Sequence, residues 1–171
     1  MTVTLQSIDE LPRLFSELEE DFNRLDYAPA LGEIADDLRG VHQNYFLGEF
    51  GPSGRDWQPW RWRSPDAPAD HPTLNVSGRL RDSLVTENGD HVEDVDTREL
   101  TWGTAVPYAG IHNFGGVTTA PATGLVGRFG GYLPPGKQIN IPQREFVGIT
   151  PETTTNYVET VADRAVAELK E

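Results

Sequence analysis

Two long stretches rich in glycine and proline constrain this chain more than any other feature: GPSGRDWQPWRWRSPDAPADHP over 51–72 and GGVTTAPATGLVGRFGGYLPPGK over 115–137. Proline removes a backbone donor and glycine weakens both helix and strand, so neither stretch is expected to hold regular structure. The first reads as an ordered loop or an arm. The second is too long to be an idle connection inside a compact domain, and it is expected to project as an arm over 116–137.

The flanking segments carry the regular patterns. Met1 to Leu5 alternates briefly and predicts a strand; Asp9 then offers an N-cap and Pro12 falls in a first helical turn. Leu11, Leu14, Phe15, Leu18, Phe22 and Leu25 recur at three-and-four spacing, with Glu17, Glu19, Glu20 and Asp21 between them, which predicts a helix with a core-facing stripe. A second helix is predicted from the Asp26 cap, with Leu31, Ile34, Leu38, Val41 and Tyr45 inward until Gly48 and Gly51-Pro52 stop it. Asp82 to Trp102 predicts a hairpin, turning at Asn88-Gly89 or at Asp96-Thr97. Pro107 to Phe114 predicts a short helix, 138–142 and 145–149 alternate like strands, and Thr150-Pro151 opens a final helix with Tyr157, Val158, Val161, Ala165, Val166 and Leu169 inward. The fold class expected is α+β: two N-terminal helices, a small mainly antiparallel sheet with long projecting loops, and a C-terminal helix. With 171 residues, no linker and no internal repeat, one domain over 1–171 is expected.

Composition narrows the chemistry. The chain has no cysteine, which excludes disulfides, thiolate nucleophiles and cysteine-ligated metals. Fourteen Lys and Arg against 27 Asp and Glu give a formal charge of -13, which opposes binding of a polyphosphate chain. A mean hydropathy of -0.48 and the lack of a long apolar run argue against a membrane role. The amino terminus lacks the pattern of a secretory signal, so the chain is expected to stay in the cytoplasm where it is made. Trp57, Trp60 and Trp62 alternate with Arg55, Arg61 and Arg63. Such a run can lid the core through cation-π contacts, grip a protein partner, or stack on bases.

Catalytic patterns are thin. His42, His71, His91 and His112 fall in separate elements, the pairs Glu19-Glu20, Asp36-Asp37 and Glu93-Asp94 sit opposite apolar stripes, and 127–131 lacks the lysine of a phosphate loop. No catalytic residue, cofactor site or metal site is expected. The remaining enzymatic reading is a hydrolase centred on His112 with Tyr108 and Arg144.

The landmarks also have an order: Trp57-Gln58-Pro59-Trp60, then Val76-Ser77-Gly78-Arg79-Leu80-Arg81-Asp82-Ser83-Leu84, then Trp102-Gly103-Thr104 with Pro107-Tyr108-Ala109, then Ile111-His112-Asn113-Phe114-Gly115-Gly116, and finally Ile141-Pro142-Gln143-Arg144-Glu145-Phe146-Val147-Gly148. In this the chain resembles the phage virion-morphogenesis family typified by the tail-completion protein of Mu-like phages, over roughly residues 9–170. It departs from the family where Asp66, Asp70 and prolines replace a basic stretch, and where Glu145 stands in place of a usual proline.

The resemblance implies an α+β structural protein of the virion, made in the host bacterial cytoplasm, that joins the tail to the neck below the capsid as a ring, expected as a hexamer. Its partners would be further copies of itself and neighbouring neck, tail terminator or tail tube proteins, with DNA only as cargo passing an acidic lumen. A tail terminator, another head-tail connector, or an assembly factor absent from the virion are the alternatives. Among the motif residues Gly78, Gly103, Gly115 and Gly116 would supply turns or positive φ. Tyr108 and His112 would share a helix face. Leu80 belongs to the turn motif, Arg144 could anchor a carboxylate or backbone carbonyls, and Phe146 would fill the core. Trp57, Trp60, Trp62, Phe129 and Tyr132 are the candidate partner surface, with both arms ordering on contact with neighbours.

Overall fold

A computed structural model of the chain describes residues 11–170. The strand expected at Met1 to Leu5 and the Asp9 cap lie outside the described residues, as do the side chains of Leu11 and Leu14. The described residues form five helices and seven short strands, an α+β arrangement. Backbone contacts group them into two compact units, one of residues 11–36, Asp94–Thr101 and 151–170, the other of Asp37–Glu93 and Trp102–Thr150.

The first unit contains α1 (Leu11–Arg24), the start of α2 (Ala28–Gly48) and α5 (Pro151–Glu168). Asp26 caps α2 by accepting the Ala28 N–H at 2.9 Å, as its position before the helix predicts. Ala30, Ile34, Ala35 and Ala165 are buried, and Arg98 donates to Asn23 at the end of α1. The stripe of α1 differs from its expected place. Phe15, Leu18 and Phe22 are 65%, 43% and 37% exposed, and Val158 and Val166 of α5 are also exposed. Apolar periodicity shows that a helix has a face to cover, not that its own chain covers it.

The second unit holds the aromatic core: Tyr45 and Phe46 from α2, Trp57, Leu80 and Leu84 from α3 (Arg79–Val85), Val106, Ala109 from α4 (Ala109–Phe114), and Phe146. Leu84 and Phe146 are fully buried, and Phe46 meets Trp57 edge-on with ring centroids 5.3 Å apart. Residues 82–85, expected as strand, are helical instead. Gly78 takes φ 81° ahead of the helix, and its carbonyl accepts the Asp82 N–H at 2.8 Å. Leu80 and Leu84, four apart, then share the buried face. The hairpin follows as β2 (His91–Val95) and β3 (Leu100–Thr104), and its turn is the second of the two expected, closed by Asp96 N–H to Glu99 O at 2.9 Å. Asn88-Gly89 instead joins α3 to β2, with Asn88 Oδ1 accepting the Asp90 N–H.

The two glycine- and proline-rich stretches are not without regular structure. β1 (Trp62–Arg63) pairs antiparallel with β5 (Leu125–Gly127), which pairs with β6 (Tyr132–Leu133), so each stretch supplies the other's strand partner. β4 (Gly116–Thr119) pairs antiparallel with β7 (Gln138–Ile141) over four residue pairs. The strand expected at 145–149 is absent. Its Phe146 and Val147 N–H groups donate to the Asn113 side chain, which takes the place of a neighbouring strand.

Candidate functional site

The order of these elements leaves a cleft of 640 Å³ in the second unit, with walls from the tryptophan-arginine segment and β1, from β4 and β7, and from the starts of α3 and α4. Its size is that of a small-molecule or peptide site. Four arginines line it, Arg61, Arg63, Arg79 and Arg144, and among the described lining residues there is no Asp or Glu. That composition is unexpected in a chain with 27 acids and a formal charge of -13.

The four guanidinium groups are held differently. Arg79 is neutralised by Asp90, which accepts from its Nε and Nη2 at 2.6 and 2.8 Å; these bonds hold the Asp90 carboxyl below and the Arg79 guanidinium above their ordinary values. Arg63 donates to the carbonyls of Ser64, Pro65 and Ala67, folding the proline-rich turn around itself. Arg144 is buried and donates to the Gln58 and Pro59 carbonyls at 2.7 and 3.3 Å, so of its two expected anchors it takes backbone carbonyls within its own chain. Burial lowers its pKa, opposed by the Glu49 carboxylate. Arg61 is exposed and lies 5.7 Å from the centre of the Trp62 ring.

His112, Tyr108 and Arg144 do come together. The Tyr108 and His112 rings meet edge-on at 6.1 Å, and the Arg144 N–H donates to the His112 carbonyl at 2.8 Å. Burial, then the Arg144 charge, push the His112 imidazole below its ordinary pKa, so it is neutral near pH 7. His112 Nδ1 is buried without a partner. A neutral imidazole beside a cation can accept a proton only weakly. Among the described residues no group of three or more His, Asp or Glu is placed to hold a metal ion.

Of the tryptophans, Trp57 and Trp60 are buried, their indole N–H groups donating to the carbonyls of Glu145 and His71 at 2.9 and 3.2 Å. Trp60 also stacks on His71 at 4.8 Å and lies under the Arg128 guanidinium at 5.1 Å. These two rings serve as lid and core, which removes them from the accessible candidate surface. Trp62 is half-buried, Tyr132 is exposed, and Phe129 is 95% exposed.

The motif residues take largely internal positions. Leu80 and Phe146 lie in the core. Ser83 Oγ donates to the Leu80 carbonyl at 2.8 Å and hydrogen-bonds Thr104 Oγ1 at 2.7 Å, which ties α3 to the end of β3. Gly115 has φ 72°, and a Cβ there would lie 2.9 Å from the Gln143 nitrogen. Gly103 differs from expectation: it has neither positive φ nor a close neighbour and is an ordinary strand residue. Asn113 is the residue that motif reasoning undervalued. Its signal was its place between His112 and Gly115, at the end of a helix too short to bury much else.

These landmarks lie within a longer match: the model of the phage virion morphogenesis family matches residues 6–166. The chain belongs to that family. The match spans both compact units and every motif from Trp57 to Phe146, so family membership supports a role in phage virion assembly. No curated protein and no solved structure is significantly similar to it. Within the family setting, the buried positions of Leu80, Ser83, Asn113, Arg144 and Phe146 identify the motifs with construction of the scaffold. No helix among the described residues is long and apolar enough to cross a membrane.

Proposed function

We propose that the chain is a tail-completion protein that joins the tail to the neck below the capsid, acting as a ring of identical subunits and without catalytic activity. The observation that carries this reading is the family match over 6–166, together with motif residues that bury themselves in the fold instead of converging on a reacting centre. The exposed Phe129 and Tyr132, on and beside β6, present apolar surface to neighbouring neck or tail proteins. The acidic surface would keep DNA from adhering as it passes.

A phage lacking this chain should accumulate filled heads and separate tails that do not join, and a cryo-electron map of the intact particle should contain the subunit at the head-tail junction. Density at the end of the tail tube alone would favour a terminator. Particles in which mass spectrometry finds none of the chain would favour an assembly factor that leaves before completion.

A further inference from the structure

Two features of the described chain are complementary and unused. One is the α1 stripe, whose Phe15, Leu18 and Phe22 are exposed at positions i, i+3 and i+7. Glu19, at i+4, falls on the edge of the same face. Among the described residues Glu19 has no ion pair, whereas Glu17 and Glu20 are occupied by Arg13 and Arg24. The other is the cleft, aromatic and apolar on its walls, free of carboxylates, with the exposed Arg61 at its mouth carrying no carboxylate partner.

We infer that α1 of one copy of this chain docks in the cleft of a second copy, with Phe15, Leu18 and Phe22 inserted between its walls and Glu19 paired with Arg61. Anchors at i, i+3 and i+7 are the pattern of an amphipathic helix lying in a groove. Charge favours this occupant: an acidic helix suits a cleft with no carboxylate in its lining and an exposed Arg61 without a carboxylate partner, and a second copy also covers the exposed stripe of α1. Helix and cleft are different surfaces, so the contact is head-to-tail and either closes into a ring or continues as a filament. The inference rests on the ring in the proposed function and gives it an interface. Its test reads self-association of the purified chain, so it can fail while a place in the virion stands.

Sedimentation velocity of the full chain over a concentration series provides the test. Wild type associates as concentration rises. Phe22→Ser and Arg61→Glu, both at exposed positions, each weaken association roughly tenfold or more while thermal unfolding stays in place. Glu19→Arg combined with Arg61→Glu in one chain recovers association that either change alone loses. A mixture of Phe22→Ser protein with Arg61→Glu protein gives dimers and nothing larger, because one intact helix meets one intact cleft and propagation then stops. Three outcomes overturn the inference: variants that associate like wild type, a wild type whose end point is a symmetric dimer, or a wild type that stays monomeric at every concentration, which would leave the cleft to its own chain or to another protein.

Discussion

The Asn113 side-chain oxygen accepts the backbone N–H groups of both Phe146 and Val147, at 2.9 and 3.0 Å. One buried amide thereby fixes the segment that delivers Phe146 to the core and Arg144 to the wall of the cleft. Asn113→Ala leaves two donors without a partner, one of them buried, and should lower stability by about 2–4 kcal/mol. Urea unfolding followed by tryptophan fluorescence measures it, and a loss under about 1 kcal/mol would mean that water replaces the amide.

His42 makes stability depend on pH. Burial lowers its pKa from 6.5 to about 4, partly offset by the Leu38 carbonyl on Nδ1. Between those values the unfolded chain binds a proton that the folded chain refuses. Its contribution is therefore complete above pH 6.5 and is lost as pH falls toward 4, by about 3 kcal/mol in all. His112 shifts in the same direction. Unfolding curves at pH 7, 5.5 and 4.5 should show the decline, and His42→Phe should flatten it.

Two glycines near the same helix should respond with opposite signs. Gly115→Ala places a methyl group 2.9 Å from the Gln143 nitrogen at φ 72°, and should cost about 1–3 kcal/mol. Gly110 lies in α4 with open space around it, and Gly110→Ala should stabilise by about 0.5 kcal/mol. Calorimetric melting of the two variants side by side tests the pair.

Phe129 is so exposed that Phe129→Ser should change unfolding free energy by less than about 0.5 kcal/mol. If it meets a neighbour in the particle, the same variant should lower the yield of joined particles in a complementation assay. Normal yield would take Phe129 out of the partner surface.

The long helices were legible because apolar periodicity and terminal signals mark a helix whatever covers its face: α2 ran from its Asp26 cap with Ile34, Leu38 and Tyr45 inward, and α5 began at Pro151. The seven residues of α3 were too few for a period to stand out, although Leu80 and Leu84 four apart carried the signal. At 145–149 alternation was present, but strand identity depends on a partner, and that partner is a side chain 33 residues away. Pairing of β1 with β5 was equally invisible, since it joins residues remote in sequence. The cleft was missed for a related reason. Arg61 and Arg63 were visible, but Arg79 and Arg144 reach the same space only through the fold. The exposed stripe of α1 is the converse case, a correct pattern whose cover does not come from this chain's described residues.

The pairing of β1 with β5 has a kinetic consequence. Only two residue pairs, Trp62 with Gly127 and Arg63 with Val126, hold that seam, assisted by the Arg128 N–H to Arg61 carbonyl bond at 2.9 Å. Closing it brings together positions about sixty residues apart, a large entropic cost for so few bonds. The seam should therefore be the last part of this unit to zip during folding and the first to breathe afterwards, with its amides exchanging with solvent long before those around Phe146. An incoming neighbour would meet a wall that can yield while the core behind it stays shut.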